Sequence, residues 1–122
     1  MISIFQIKEK IMTALEDSGV FDTVAAPPDD RKGQTVMREP AASVFLERMY
    51  KTDDNGVPLL SADFSIYMKF LKIGVNDTSD EIETAMLAIA ALEPASLTQK
   101  MQSGDGRSAI YVIEAAFTGC RP

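Results

Sequence analysis

The segment LSADFSIYMKF, residues 60–70, alternates apolar and polar side chains along its whole length. Apolar side chains occupy the even positions from Leu60 to Phe70, and polar side chains occupy the odd positions between them. Because successive side chains of a strand point to opposite faces, this period of two predicts a long β-strand with one buried face. Such a strand is typical of an antiparallel sheet that is covered on one side.

A second strand is predicted over residues 41–50, just upstream. Asn55-Gly56 lies between the two segments and is the strongest short signal for a β-hairpin. The two faces expected for the second strand consist of Val44 and Leu46 on one side, and of Phe45, Glu47 and Met49 on the other.

Two further segments have strand character. Residues 20–24 predict a short edge strand. Residues 109–118 are apolar at both odd and even positions, which predicts a strand that is either central in a covered sheet or partly buried by another subunit. Two polar stretches, 26–40 and 95–108, are expected to be long loops, and long loops are usually functional or mobile.

Two amphipathic helices are predicted, over residues 3–18 and 79–92. Ser3 and Thr78 are the expected N-caps, and Gly19 stands where a left-handed residue would end the first helix. The apolar residues with helical spacing are Ile4, Ile7, Ile11 and Leu15 in the first helix and Ile82, Met86, Ile89 and Leu92 in the second.

The element order α-β-β-β-α-β predicts an α+β fold in a single domain, residues 1–122. Its expected form is a two-layer sandwich, with an antiparallel sheet of about four strands packed by two helices. The length of 122 residues, 46% of them apolar, is enough to bury one hydrophobic core.

The charge pattern argues against several classes of partner. The net charge of −6 is spread evenly over the chain, without the clustered Lys and Arg that phosphate binding needs. No specific nucleic-acid binding is therefore expected. No stretch reaches the ~20 apolar residues that cross a bilayer, so no membrane partner is expected either.

No combination of residues predicts catalysis. The chain has no histidine, the commonest general base and metal ligand. Cys120 has no histidine to activate it, and the glycines around Asp105 lack the spacing of a phosphate loop. Asp53, Asp54 and Asn55 could offer oxygen ligands to a hard cation, but a solvated hairpin tip explains them more simply. We therefore expect no enzyme activity and no cofactor.

The order of elements resembles small phage tail terminator and minor tail (tail-completion) proteins, including prophage-encoded ones. The resemblance covers nearly the whole chain and is one of residue type and order. It is carried by a helix that runs into residues 15–24, a proline-led strand at 40–46, a long strand at 63–68, an acidic helix ending near 92–94, and a closing strand at 109–118.

This resemblance implies a subunit that forms a ring, typically a hexamer, at the head-proximal end of the tail tube. The ring would stop tube polymerisation and join the head side, with tail-tube and head–tail connector proteins as partners. The protein would be assembled in the bacterial cytoplasm and reside in the virion tail. By position, the candidate subunit-contact or lumen residues are Lys32, Arg38, Arg48, Lys51, Asp53, Asp54, Lys69 and Lys72.

Two other functions are compatible with the same sequence. One is a small ligand-binding or regulatory α+β domain of a bacterial protein, with a cleft between helix and sheet. The other is a small enzyme that uses carboxylates alone, for which the acidic residues near the start of the second helix are the candidates. A helix N-terminus attracts acidic residues for electrostatic reasons, so these residues do not by themselves indicate catalysis.

Overall fold

The computed structural model has two helices and five strands. It describes residues 3–21, 23–25, 41–54, 56–71, 79–104 and 108–120. The elements in chain order are α1 (Ile4–Asp17), β1 (Thr23–Ala25), β2 (Ala41–Asp54), β3 (Val57–Leu71), α2 (Ser79–Ala90), β4 (Ser96–Gly104) and β5 (Ser108–Cys120). The class is α+β, as the sequence predicts.

The five strands form one mixed sheet in the order β1-β2-β3-β5-β4. β1 runs parallel to β2, with Thr23 opposite Ala41, whereas the other pairs are antiparallel. The prediction of about four antiparallel strands in the order α-β-β-β-α-β is therefore wrong in strand number and orientation.

The additional strand, β4, lies in the stretch 95–108 that was predicted to be a loop. Only Leu97 and Met101 are apolar within residues 96–101, so its own pattern is weak. β4 is an edge strand whose backbone hydrogen bonds go to β5, and this pairing outweighs the polar composition. Gly104 ends β4, and residues 105–107, at the tip of the predicted loop, lie outside the described part.

Both helices pack on the same face of the sheet, which is compatible with two layers. The helix side of the core contains four residues of α1 and two of α2: Ile4, Ile7, Ile11, Leu15, Ala85 and Ile89. The sheet side contains the even positions of β3 and the odd positions of β5: Ala62, Phe64, Ile66, Met68, Phe70, Ile113, Ala115 and Phe117. The alternation at 60–70 therefore marks the buried face correctly.

The ends of α1 are as predicted. The Ser3 hydroxyl accepts a hydrogen bond from the Gln6 backbone N–H, and the Gln6 side chain accepts one from the Ser3 N–H. Gly19 follows the helix with a φ of 75°, a conformation that glycine adopts without steric cost. The predicted cap of α2, Thr78, lies outside the described residues.

A bulge at Glu47 changes the faces of β2. Leu46 pairs with Phe64, and Arg48 pairs with Asp63, so Glu47 is an extra residue on β2. Met49 then pairs with Ala62 and lies on the helix side. The prediction that Met49 shares a face with Phe45 is therefore wrong, because strict alternation does not continue through a bulge.

β5 lies between β3 and β4 and is thus an inner strand of the sheet. Of the two alternatives for its apolar pattern, the inner position accounts for the buried residues Ile113 and Phe117 on the helix side. Val112, on the other side, is buried as well. Neither described helix is long and apolar enough to cross a membrane.

Candidate functional site

The face of the sheet opposite the helices, here called the helix-free face, carries most of the charged side chains of the strands. A hollow of about 620 Å³ lies on it, bordered by side chains of β2, β3, β4 and β5. Its polar lining includes Arg48, Tyr50, Asp63, Thr98 and Glu114. A surface with both signs of charge suits contacts with another protein surface.

Arg48, Tyr50 and Asp63 form a cluster in this hollow. The Nε atom of Arg48 donates to Oδ2 of Asp63 at 2.5 Å, and the Tyr50 hydroxyl donates to Oδ1 at 3.3 Å. The Arg48 guanidinium also lies 4.6 Å from the centre of the Tyr50 ring, within the range of a cation–π contact. The Asp63 carboxylate therefore accepts a hydrogen bond from each of the two neighbours and orients both side chains.

The register of the hairpin brings the cluster together. The pairing is unbroken from Asp54 opposite Val57 to Arg48 opposite Asp63, and Arg48 and Tyr50, two residues apart on β2, lie on the same side of the sheet. The hydrogen bond to Asp63, together with the charge of that carboxylate, raises the pKa of Arg48 above its ordinary value. The Arg48 side chain is nevertheless 68% exposed, so this cation remains accessible to a partner.

A second ion pair lies on the β4–β5 side of the same face. The Nζ atom of Lys100 is 3.0 Å from Oε1 of Glu114. Both side chains are largely exposed, so the pair contributes little to stability. Its effect is to extend the charged surface to the edge strand.

The β2–β3 hairpin extends beyond the rest of the sheet. β5 pairs with β3 only from Leu60 onward, and β1 pairs only with the first three residues of β2. Residues 51–54 and 57–59, here called the arm, therefore form a two-stranded ribbon among the described strands. Pro58, opposite Asp53 in the arm, suits such a position because proline is confined to edges and strand ends.

Hydroxyl groups hold the base of the arm, and charged side chains flank them. Thr52 Oγ1 lies 3.0 Å from Ser61 Oγ and donates to the Leu59 carbonyl at 3.4 Å. Lys51 and Asp53 are exposed, with Nζ and Oδ1 3.7 Å apart. The hairpin turn is completed by Gly56 with a φ of 83°, which agrees with the turn predicted from Asn55-Gly56.

The structure separates the predicted contact residues into groups. Arg48 lies on the helix-free face, whereas Lys51 pairs with Leu60 and points to the helix side. Lys69 is exposed on the helix-free face and pairs with Ala41; it lies roughly 20 Å along β3 from Asp63 at about 3.3 Å per residue. The described part includes the backbone of Asp54 but not its side chain, and Lys32, Arg38 and Lys72 lie outside it.

The sequence prediction did not include Asp63, Tyr50 or Glu114. Asp63 could have been identified from the sequence, because it is the only acidic residue within 60–70. Its pairing with Arg48 follows from counting back from the predicted turn at Asn55-Gly56, since the register is unbroken from Asp54 opposite Val57 to Arg48 opposite Asp63. Across the described ranges, no three acidic or cysteine side chains are grouped closely enough to hold a metal ion.

A second hollow, here called the α2–β4 groove, lies on the helix side. Its volume is about 530 Å³. Glu83 and Gln99 are the polar residues of its lining. The other lining residues are mainly apolar: Ile82, Met86, Leu87, Ala90, Leu97 and Tyr111. Leu87 is 63% exposed and Phe5, on α1, is 81% exposed.

Comparison with known proteins does not assign the chain to a family. No protein-family model matches it, and no curated protein matches it.

Proposed function

We propose that this chain is a structural subunit of a phage or prophage tail, which forms a ring, completes the tail tube and joins it to the head side. Its partners would be further copies of itself, tail-tube proteins and head–tail connector proteins, and its location the virion tail. The proposal includes no catalytic step and no cofactor. The observation that carries it is the arm.

The arm is more readily explained in an assembly than in a lone subunit. An isolated two-stranded ribbon is marginally stable in water, and this one carries exposed Lys51 and Asp53. Against a neighbouring subunit, the same ribbon would gain contacts on its faces and partners for its charges. The exposed Arg48 on the helix-free face would supply a cation for a neighbour's carboxylate or for the ring lumen.

The resemblance in element order is the second support. It covers both helices, the long hairpin and the closing strand of this chain. Head-to-tail contacts between identical subunits close into a ring when the rotation between neighbours permits. An arm that reaches the next copy is one way to make such a contact.

The mass of the purified chain in solution tests the proposal. We expect size-exclusion chromatography with light scattering, over a range of concentrations, to show a discrete multi-subunit species, and negative-stain electron microscopy to show rings. A variant in which an Asn-Gly turn replaces residues 52–59 joins Lys51 to Leu60, which already face each other. This variant should fold but lose the multimer.

The matched control is Asp17→Ala, which removes an exposed charge outside both the arm and the helix-free face. It should keep the multimer. A wild-type chain that remains monomeric at every concentration, with no rings, would contradict the proposal.

The α2–β4 groove favours a second candidate function, a small ligand-binding or regulatory domain. The groove lies between a helix and the sheet, where such a domain would hold its ligand, and it is lined mainly by apolar side chains. A thermal-shift screen of small molecules distinguishes the two candidates. A compound that stabilises a monomeric chain, and loses this effect in Leu87→Glu, would favour the second.

A further inference from the structure

We propose that Phe5 of one copy inserts into the α2–β4 groove of the next copy, and that this contact links the subunits of the ring. The inference rests on the proposed function, because it names the partner and the contact through which that ring would form. It is carried by an exposed aromatic residue, an apolar groove on another part of the same molecule, and the charges beside each.

Phe5 lies on the solvent side of α1. The buried residues of this helix begin at Ile4 and recur at Ile7 and Ile11, so Phe5 points away from the sheet and is 81% exposed. A single exposed apolar residue is ordinary on a protein surface. Phe5 becomes informative because the same chain also carries a groove of matching character.

The α2–β4 groove has the size and lining to receive an aromatic ring. Its volume of about 530 Å³ exceeds that of a phenyl group, and Leu87 forms an exposed apolar part of its wall. Tyr111 contributes a ring that is held in place by an edge-on contact with Phe70, with ring centres 6.2 Å apart. An inserted Phe5 would therefore meet both aliphatic and aromatic partners.

The charges next to the two surfaces are complementary. α2 carries Asp80, Glu81 and Glu83 and no Lys or Arg, and Glu83 lines the groove. On α1, Lys8 is three residues after Phe5 and thus beside it on the helix surface. An inserted Phe5 can bring Lys8 towards Glu83.

Glu9 sets the orientation of this contact. It follows Phe5 by four residues and flanks it on the side opposite to Lys8, since successive residues advance by about 100° around a helix with 3.6 residues per turn. Glu83, in the wall of the groove, repels Glu9 and attracts Lys8. One orientation of α1 across the groove is therefore favoured over the reverse.

The contact can be made head to tail. Phe5 and the α2–β4 groove share no residue, so a copy that has inserted its Phe5 still offers its own groove. When a third copy fills that groove, the contact is heterologous and adds subunits until the rotation closes the ring. A two-fold dimer would instead exchange Phe5 reciprocally between two copies, so a wild-type mass of two chains would contradict the ring.

Complementation between two variants tests the inference. Phe5→Glu leaves the groove intact, and Leu87→Glu leaves Phe5 intact. We expect each variant alone to have the mass of a single chain, and an equal mixture of the two to form a dimer that cannot extend. Gln6→Glu is the matched control, because it places the same charge on the neighbouring exposed residue and keeps the capping box; it should keep the multimer.

A charge exchange provides a second readout should Leu87→Glu fail to fold. Glu83→Lys should weaken the multimer, and the double variant Lys8→Glu with Glu83→Lys should restore it. If the wild type forms rings and Phe5→Glu forms the same rings, the Phe5 contact is wrong while the proposed function stands. If the wild type forms no multimer, the proposed function fails, and the contact fails with it.

Discussion

Arg48 and Asp63 face each other across the β2–β3 pair immediately after a bulge in β2, with Nε and Oδ2 2.5 Å apart. The register that runs back from the hairpin turn sets this pair, and the bulge at Glu47 shifts only the residues of β2 that precede it. Tyr50 completes the arrangement by donating to the same carboxylate. Because this arrangement lies on an exposed face, it is better suited to recognising a partner protein than to stabilising the fold.

Arg48→Ala should therefore cost little folding free energy. The guanidinium is 68% exposed, and exposed ion pairs contribute little to stability. We expect urea denaturation followed by circular dichroism to show little change in the midpoint, while light scattering shows a weakened multimer. Arg48→Lys is the control that keeps the charge. A midpoint shift as large as that of a truncated core side chain would indicate that the cluster has a structural role instead.

Glu93→Gly should stabilise the protein. Glu93 follows α2 with a φ of 61° and is exposed. This left-handed conformation costs a residue with a Cβ about 1–2 kcal/mol. Glycine avoids this steric cost but loses more backbone entropy on folding, so only part of the difference is recovered. We expect a net gain of roughly 0.5–1 kcal/mol in thermal and urea denaturation.

The control for this change is Glu93→Ala, which removes the same carboxylate but keeps the Cβ. It should give no comparable gain. Equal stabilisation by alanine and glycine would mean that loss of the negative charge near the helix C-terminus, and not relief of the backbone, is responsible.

Some sequence patterns were sufficient to predict an element of the fold and its buried face. Residues 60–70 identified both the longest strand and its buried face, because the even-numbered side chains from Ala62 to Phe70 are all buried in the core with the helices. Ser3, Ile4, Ile7, Ile11 and Leu15 likewise located α1 and its core face. Where local pattern and tertiary burial coincide, the sequence alone is enough.

The signals that failed depend on long-range pairing. β4 is polar and gains its stability from β5, so Thr98 and Lys100 gave no strand signal of their own. The placement of Phe45 and Met49 on different faces depends on a one-residue bulge that alternation cannot reveal. The 95–108 stretch, predicted to be a loop, is therefore largely a strand, whereas β5 takes one of its two predicted positions, as an inner strand of the sheet. The β2–β3 hairpin is as predicted.

Ile11→Ala should be strongly destabilising. Ile11 is fully buried between α1 and the sheet, and removal of a buried isoleucine side chain beyond Cβ costs about 2–5 kcal/mol. Thr13→Ala is the matched control, since Thr13 lies on the same helix but is exposed, and its effect should stay within about 0.5 kcal/mol. Urea denaturation of both variants measures the difference. Equal effects would show that α1 does not pack on the core as described.

Hydrogen exchange should detect the arm as the part of the sheet that depends on assembly. In the monomeric Phe5→Glu variant, amides of residues 51–54 and 57–59 should exchange much faster than those of 62–70, because the arm has only two strands whereas β3 is paired on both sides farther along. In the wild-type ring the arm should become protected, while 62–70 should remain protected in both states. Mass spectrometry of peptic fragments resolves these segments. If the arm exchanges equally fast in the monomer and the ring, it is not a contact element, and the ring must then be held by other surfaces.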